Sequence, residues 1–152
     1  MEELVSELKA KGLTIASIES LTGGMFVSLI SAVANASHVL KGSLITYQTT
    51  IKEDVLQVDK ELIVEHGVIS KQCVQAMAIQ GKKMFQSDII VSCSGNAGPE
   101  GMDDKPVGLV YMGVLINEEV TVYEMTFKGT RNKIREQVCE YLKEKVLEQL
   151  KK

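Results

Sequence analysis

Ser20 sits in Glu19-Ser20-Leu21-Thr22-Gly23-Gly24, between the β-type run Thr14–Ile18 and an apolar stretch at residues 25–34. Where a strand turns sharply into a helix, a side chain is presented at the turn and the next backbone N–H groups lack helical partners. Such donors, together with the positive helix end, can hold an oxyanion or a phosphate. Thr22, Gly23 and Gly24 are therefore candidate ligand contacts, the glycines allowing close approach to the backbone. The plainer alternative is a tight turn in which Ser20 and Thr22 only cap the helix. The segment lacks the Gly-Lys-Ser/Thr ending of a P-loop, so a nucleoside triphosphate is not expected.

A serine hydroxyl becomes a useful nucleophile only when a base takes its proton. Neither His38 nor His66 stands in a triad-like motif. Lys52, in Tyr47-Gln48-Thr49-Thr50-Ile51-Lys52, follows a second expected strand and is the best-placed basic residue. A lysine can act as base if burial or a positive field makes it neutral near operating pH. The competing reading is a surface lysine beside Glu53 and Asp54, with Tyr47 in the core. A third segment, Ser94-Gly95-Asn96-Ala97-Gly98-Pro99-Glu100-Gly101, could turn successive N–H groups into an anion nest, or simply connect two elements. Arg131, after Gly129-Thr130, suits a phosphate partner or a structural contact. Cys93 adjoins the glycine loop and is a rival nucleophile, but its strand run points it to the core.

The elements that must position these groups follow from periodicity and punctuation. Leu4 and Leu8 with Gly12 predict a helix over 2–11. Residues 25–34 predict a helix buried nearly all round, and Val39–Thr46 a strand. Short helices are expected around Lys52–Leu56 and Lys60–Glu65. Ser70 is a credible cap for a helix marked by Cys73, Val74, Met77, Met84 and Phe85. Gly81 inside it costs about 1 kcal/mol relative to Ala, which implies close packing there. Asp88–Cys93 reads as a central strand, and Val107–Ile116 with Val120–Phe127 as a hairpin across Asn117-Glu118-Glu119. Ile134, Val138, Leu142, Val146 and Leu150 stripe a last helix. Interleaved helices and strands with a late hairpin predict one α/β domain over 1–152, a mixed sheet covered on both faces.

Composition narrows the partners. The 152 residues carry a net charge of −3 and no lysine or arginine cluster on a neutral face, so nucleic acid is not an expected partner. No apolar run approaches the roughly 20 residues that cross a bilayer, and no membrane partner is expected. Three widely spaced cysteines suit reduced thiols and offer no zinc site. With an acidic start unlike a signal peptide, the expected location is cytoplasmic.

Taken together, the blocks resemble the CinA carboxy-terminal domain family over about residues 5–148. The likeness rests on Glu19-Ser20-Leu21-Thr22-Gly23-Gly24, Tyr47 with Lys52, and Glu65-His66-Gly67-Val68-Ile69-Ser70. It continues through Ser94-Gly95-Asn96-Ala97-Gly98-Pro99, Lys105-Pro106-Val107-Gly108 and Gly129-Thr130-Arg131. The resemblance implies a three-layer α/β/α sandwich on a mixed, mostly parallel sheet, and a homo-oligomer. It implies hydrolysis of the carboxamide of nicotinamide mononucleotide to nicotinic acid mononucleotide and ammonia, without metal or cofactor. Ser20 would be the nucleophile, Lys52 its base and Tyr47 a neighbour able to relay a proton to the departing ammonia. Donors near Thr22–Gly24 would hold the oxyanion, while Thr49, Ser94, Gly95, Asn96, Ala97, Gly98 and Arg131 would contact the nucleotide.

The chain departs from the family pattern at Leu21, usually cysteine; at Gln48-Thr49, usually Ser-Asn; and at Asn96, Met102 and Thr130, usually isoleucine, glycine and aspartate. These changes spare the Ser20–Lys52 pair and bear on the choice of substrate. Those at Thr49, Asn96 and Thr130 also motivate an alternative, a non-catalytic nucleotide-binding or regulatory protein that keeps the pocket without turnover. Longer members carry an amino-terminal domain that these residues do not include, and no activity of that domain is expected.

Overall fold

A computed structural model describes all 152 residues. Helix α1 (Glu2–Lys11) starts with two acids, ends with two lysines and stops at Gly12, whose left-handed φ of 67° lets its N–H reach back to Leu8 and Lys9. Strand β1 (Ile15–Glu19) is buried throughout and is an interior strand of the sheet. Helix α2 (Met25–Ser31), strand β2 (Leu40–Ile45), and helices α3 (Thr49–Asp54), α4 (Lys60–His66) and α5 (Lys71–Phe85) follow. Strand β3 (Ile89–Gly95), strands β4 (Leu109–Ile116) and β5 (Glu119–Thr126), and helix α6 (Arg131–Leu150) complete the chain.

The strand order is β2-β1-β3-β4-β5. Pairing is parallel across β2, β1 and β3 and antiparallel where the hairpin adds β4 and β5. Each face is covered. Ile15, Val91, Cys93 and Met112 pack under α1, α2 and α6; Ala16, Ile18 and Ile90 pack under α4 and α5. Side chains of β1 and β3 therefore alternate between two apolar layers, which explains why both strands are buried and mostly apolar, with Ser17, Glu19, Ser92 and Ser94 as buried exceptions. Gly81 meets the sheet closely, as expected. A Cβ there would stand 2.6 Å from Ile18 Cγ1 and 3.1 Å from Ile90 Cγ2.

Several expectations shift. Helix α2 ends at Ser31 rather than 34, and Leu29 is 43% exposed, so this helix is amphipathic and not buried all round. Helix α3 opens at Thr49, which puts Lys52 inside a helix instead of at its start. The hairpin turn is the two residues Asn117 and Glu118, with φ of 53° and 64°, and Glu119 already pairs with Ile116. A two-residue turn with positive φ at both positions matches the twist of the flanking strands. Ser70 caps α5 as expected, accepting from the Cys73 N–H at 3.1 Å.

Because β1, β2 and β3 run parallel, their carboxyl ends lie along one edge, where open α/β sheets form their crevice. The segments after Glu19, Ile45 and Gly95 gather there, and β5, parallel in direction to β3, delivers the start of α6 to the same edge.

Candidate active site

That edge holds a cavity of about 390 Å³ lined by Ser20, Leu21, Tyr47, Lys52, Ser94 and Arg131 among others. Ser20 follows the last residue of β1, and Lys52 rises from α3. Lys52 Nζ donates to Ser20 Oγ at 3.2 Å and to the Thr46 carbonyl. Two residues 32 positions apart thus meet in a hydrogen bond. Lys52 is 1% exposed. No carboxylate lies within ion-pair distance of its amine. Burial pushes the Lys52 ammonium below its ordinary value of 10.5, and the more distant Cys73, Cys93 and Asp103 oppose that shift without cancelling it. An uncompensated buried amine is the arrangement that favours a neutral lysine.

The turn after Ser20 differs from the expected oxyanion cradle. Gly23 N–H donates to the Ser20 carbonyl at 3.0 Å, and Met25 N–H to the Thr22 carbonyl at 3.0 Å. The next donors, Phe26 and Val27 N–H, are taken by the Glu19 carboxylate at 3.0 and 3.1 Å. Thr22 is fully buried, its hydroxyl donating to Glu19 at 2.7 Å. Thr22, Gly23 and Gly24 do not line the cavity. Their role here is conformational: φ of 57° at Gly23 and 97° at Gly24 makes the turn that a side chain would strain. The uncommitted N–H groups among the lining residues include those of Leu21, Ala97 and Gly98.

Tyr47 lines the mouth of the cavity and is 56% exposed, not core. No hydrogen bond ties it to Ser20 or Lys52. Its hydroxyl accepts from Arg131 Nη2 at 2.7 Å, while Arg131 Nη1 donates to the Gly98 carbonyl at 2.6 Å. The expected relay from Lys52 through Tyr47 therefore has no geometric support. Tyr47 and Arg131 form a bridge between the segments after β2 and β3 instead. Arg131 still has unspent donors, since a guanidinium carries five.

The glycine loop is brought to the cavity through Ser94, Gly95, Asn96, Ala97 and Gly98, and Thr49 lines it from α3. Asn96 is not free to read a ligand. Its amide nitrogen donates to the carbonyls of Met102 and Lys105 at 3.2 and 3.1 Å, and its oxygen accepts from Met102 N–H at 3.0 Å. It pins the loop to itself. Asp103 fastens the same loop to the start of α5's approach, accepting from Val68 and Ile69 N–H at 2.9 and 3.3 Å. Cys93 is fully buried and burial pushes its thiol up to about 11, so it is the wrong group for a nucleophile.

Two residues with a clear part in the site escaped the sequence reading. Glu19 is fully buried and has five polar groups around its carboxylate: Ser17, Thr22 and Ser43 hydroxyls and two backbone N–H groups. A carboxylate on an otherwise apolar strand, just before a helix, was the signal available. Arg135 reaches back from α6 to the Leu21 and Thr22 carbonyls at 3.0 and 2.8 Å. Nothing local in the sequence distinguishes it from a solvated helix arginine.

Comparison with known proteins gives the family and the fold. The CinA C-terminal domain family model matches residues 1–150. A protein of Oceanobacillus iheyensis, named as a competence-damage inducible protein, is 42% identical over 137 residues, covering 90% of this chain and 33% of its own length. A Bacillus cereus protein of the same name is 38% identical over 141 residues, covering 92% of this chain and 34% of its own. The chain thus spans about a third of the curated relatives it matches. Among solved structures, a CinA superfamily protein from Klebsiella pneumoniae superposes with a TM-score of 0.95 at 28% identity, covering 98% of this chain and 94% of that one. A competence/damage-inducible protein from Agrobacterium tumefaciens gives 0.92 at 29% identity, with 99% and 95% covered. The chain belongs to the CinA C-terminal domain family.

Proposed function

We propose that this chain hydrolyses the carboxamide of nicotinamide mononucleotide, giving nicotinic acid mononucleotide and ammonia, with Ser20 and Lys52 as the reacting pair. The observation that carries the reading is the 3.2 Å contact between Ser20 Oγ and the buried, unpaired amine of Lys52. The substrate rests on family likeness. A cavity of about 390 Å³ with Arg131 at its mouth is compatible with a mononucleotide.

Neutral Lys52 takes the Ser20 proton as Oγ attacks the amide carbon, and the carbonyl oxygen becomes an oxyanion. Uncommitted N–H groups such as those of Leu21, Ala97 and Gly98 are the candidates to stabilise it, each donor typically worth about 2.7–4 kcal/mol. Protonated Lys52 then gives its proton to the leaving nitrogen, and ammonia departs. Water, deprotonated by the same amine, releases the acid and restores Ser20. No role in proton transfer is assigned to Tyr47.

Purified protein incubated with nicotinamide mononucleotide tests the reading by ammonia release. Release that vanishes in Ser20→Ala and Lys52→Met supports it. Release that survives Ser20→Ala removes the mechanism. Binding of the nucleotide without release by the native chain favours the regulatory alternative, for which the changes at Thr49, Asn96 and Thr130 gave the motive. Of these, Asn96 is occupied within its own loop.

A further inference from the structure

Arg135 is a cation with no anionic partner. Its guanidinium is absent from every ion pair of the chain. Nε donates to the Leu21 carbonyl at 3.0 Å and Nη2 to the Thr22 carbonyl at 2.8 Å, across 114 and 113 positions of sequence. Nη1 donates to the Asn132 side-chain oxygen at 3.0 Å, which orients the fork from within α6. A rigid guanidinium is thus spent on two consecutive carbonyls immediately after Ser20.

Holding those carbonyls sets more than their own direction. A planar, trans peptide places each N–H opposite the carbonyl that precedes it. With the Leu21 carbonyl drawn to Arg135, the Thr22 N–H faces the opposite way, and the Thr22 hydroxyl lies 3.4 Å from the Cys93 sulfur. With the Thr22 carbonyl drawn the same way, Gly23 N–H turns inward and closes on the Ser20 carbonyl at 3.0 Å. That bond in turn fixes the Ser20–Leu21 peptide, whose N–H is uncommitted and borders the cavity. From the opposite side Glu19 holds the Thr22 hydroxyl and the Phe26 and Val27 N–H groups. The turn carrying Ser20 is held between a cation outside and a carboxylate inside.

We propose that Arg135 is a positioning residue for Ser20, setting the turn so that the hydroxyl meets Lys52 and the Leu21 N–H stays available to the substrate. Arg135 does not border the cavity and acts only through the turn. The proposal rests on the amidase reading for its natural substrate. A fluorophosphonate probe tests it independently. The Ser20 oxygen forms a bond to phosphorus, fluoride leaves, and the hydroxyl proton passes to Lys52.

Labelling rates of Ser20 and ammonia release are measured on native protein, Arg135→Ala, Arg135→Lys and Asn132→Ala, with melting curves for each. Arg135→Ala is expected to label up to about 100-fold more slowly, the scale of a one-ångström misplacement. In ammonia release kcat should fall while KM holds. Added guanidinium ion should restore part of the rate, and Arg135→Lys, a point charge without the fork, should restore little. Should Arg135→Ala fail to fold, Asn132→Ala carries the test through its smaller expected slowing, at native stability. Labelling within about twofold of native for whichever of these variants folds would overturn the proposal, whatever happens to stability. A native protein that labels at Ser20 but releases no ammonia would defeat the amidase reading while leaving the positioning test intact.

Discussion

Glu19 and Lys52 stand on opposite sides of Ser20, and both are buried almost completely, at 0% and 1% exposure. Their surroundings differ in kind. Glu19 faces the α2 layer and has five hydrogen-bonding groups gathered on its carboxylate. Lys52 has two partners, a hydroxyl and a carbonyl, neither of them charged. A buried ionisable group surrounded by donors is a structural brace, because its desolvation is offset where it sits. A buried amine left without a counter-charge is held toward its neutral form, which costs stability and makes a base. The same depth of burial therefore yields a brace on one side of the nucleophile and a reactive group on the other.

The sharpest way to break this contrast is to remove the reactive side. Ser20→Ala and Lys52→Met are each expected to lower ammonia release from nicotinamide mononucleotide by roughly 1,000-fold or more. Comparable activity in Lys52→Met would mean that another base serves Ser20.

Removing the brace should act on stability first. Glu19→Ala strands the Phe26 and Val27 N–H groups and the Thr22 hydroxyl in the interior, and is expected to cost about 3 kcal/mol or more in chemical denaturation. A loss below about 1 kcal/mol would show that these donors find other partners, and Glu19 would lose its standing as the brace.

Lys52→Met should have the opposite sign. Replacing a buried amine by an apolar side chain of similar length is expected to raise stability by about 1–3 kcal/mol at neutral pH. The dependence on pH follows from the depressed value. Between that value and 10.5 the unfolded chain holds a proton that the folded chain has shed, so native stability rises with pH across this window. The gap between variant and native melting temperatures should then be widest at the lower pH and shrink toward 10.5. A gap that widens with rising pH would reverse the assignment of Lys52 as an uncompensated amine.

The smallest effect is expected at Cys93, which touches the turn only from within the core. Cys93→Ser keeps a small polar atom near Thr22 Oγ1, now 3.4 Å from the sulfur, and activity should stay within about threefold of native. Loss comparable to that of Ser20→Ala would make the thiol part of the chemistry.

Most of the fold was legible because both signals it depends on are local. The largely apolar runs of β1 and β3, the stripe of α6 and the cap at Ser70 each show in nearby residues. Legibility failed where the deciding contact is distant. Gly23 and Gly24 looked like an anion cradle because a glycine-bearing turn before a helix has that form, but the donors beyond it are filled by a carboxylate seven and eight positions back. Asn96 reads as a ligand contact because it is a polar residue in a glycine loop, while its amide is spent on carbonyls up to ten positions ahead. Tyr47 was assigned to proton transfer by resemblance, yet its hydroxyl is engaged by Arg131, 84 positions away. The meeting of Ser20 with Lys52 could be proposed from the sequence, but its distance could not.

The most direct test is the titration of Lys52 itself. Protein carrying carbon-13 at the lysine ε position is titrated by nuclear magnetic resonance, with Lys52→Met identifying the resonance. The expected result is one lysine titrating clearly below 10.5 and in step with the pH profile of kcat/KM. A Lys52 signal that titrates at or above 10.5 alongside the surface lysines would contradict a neutral amine as the base for Ser20.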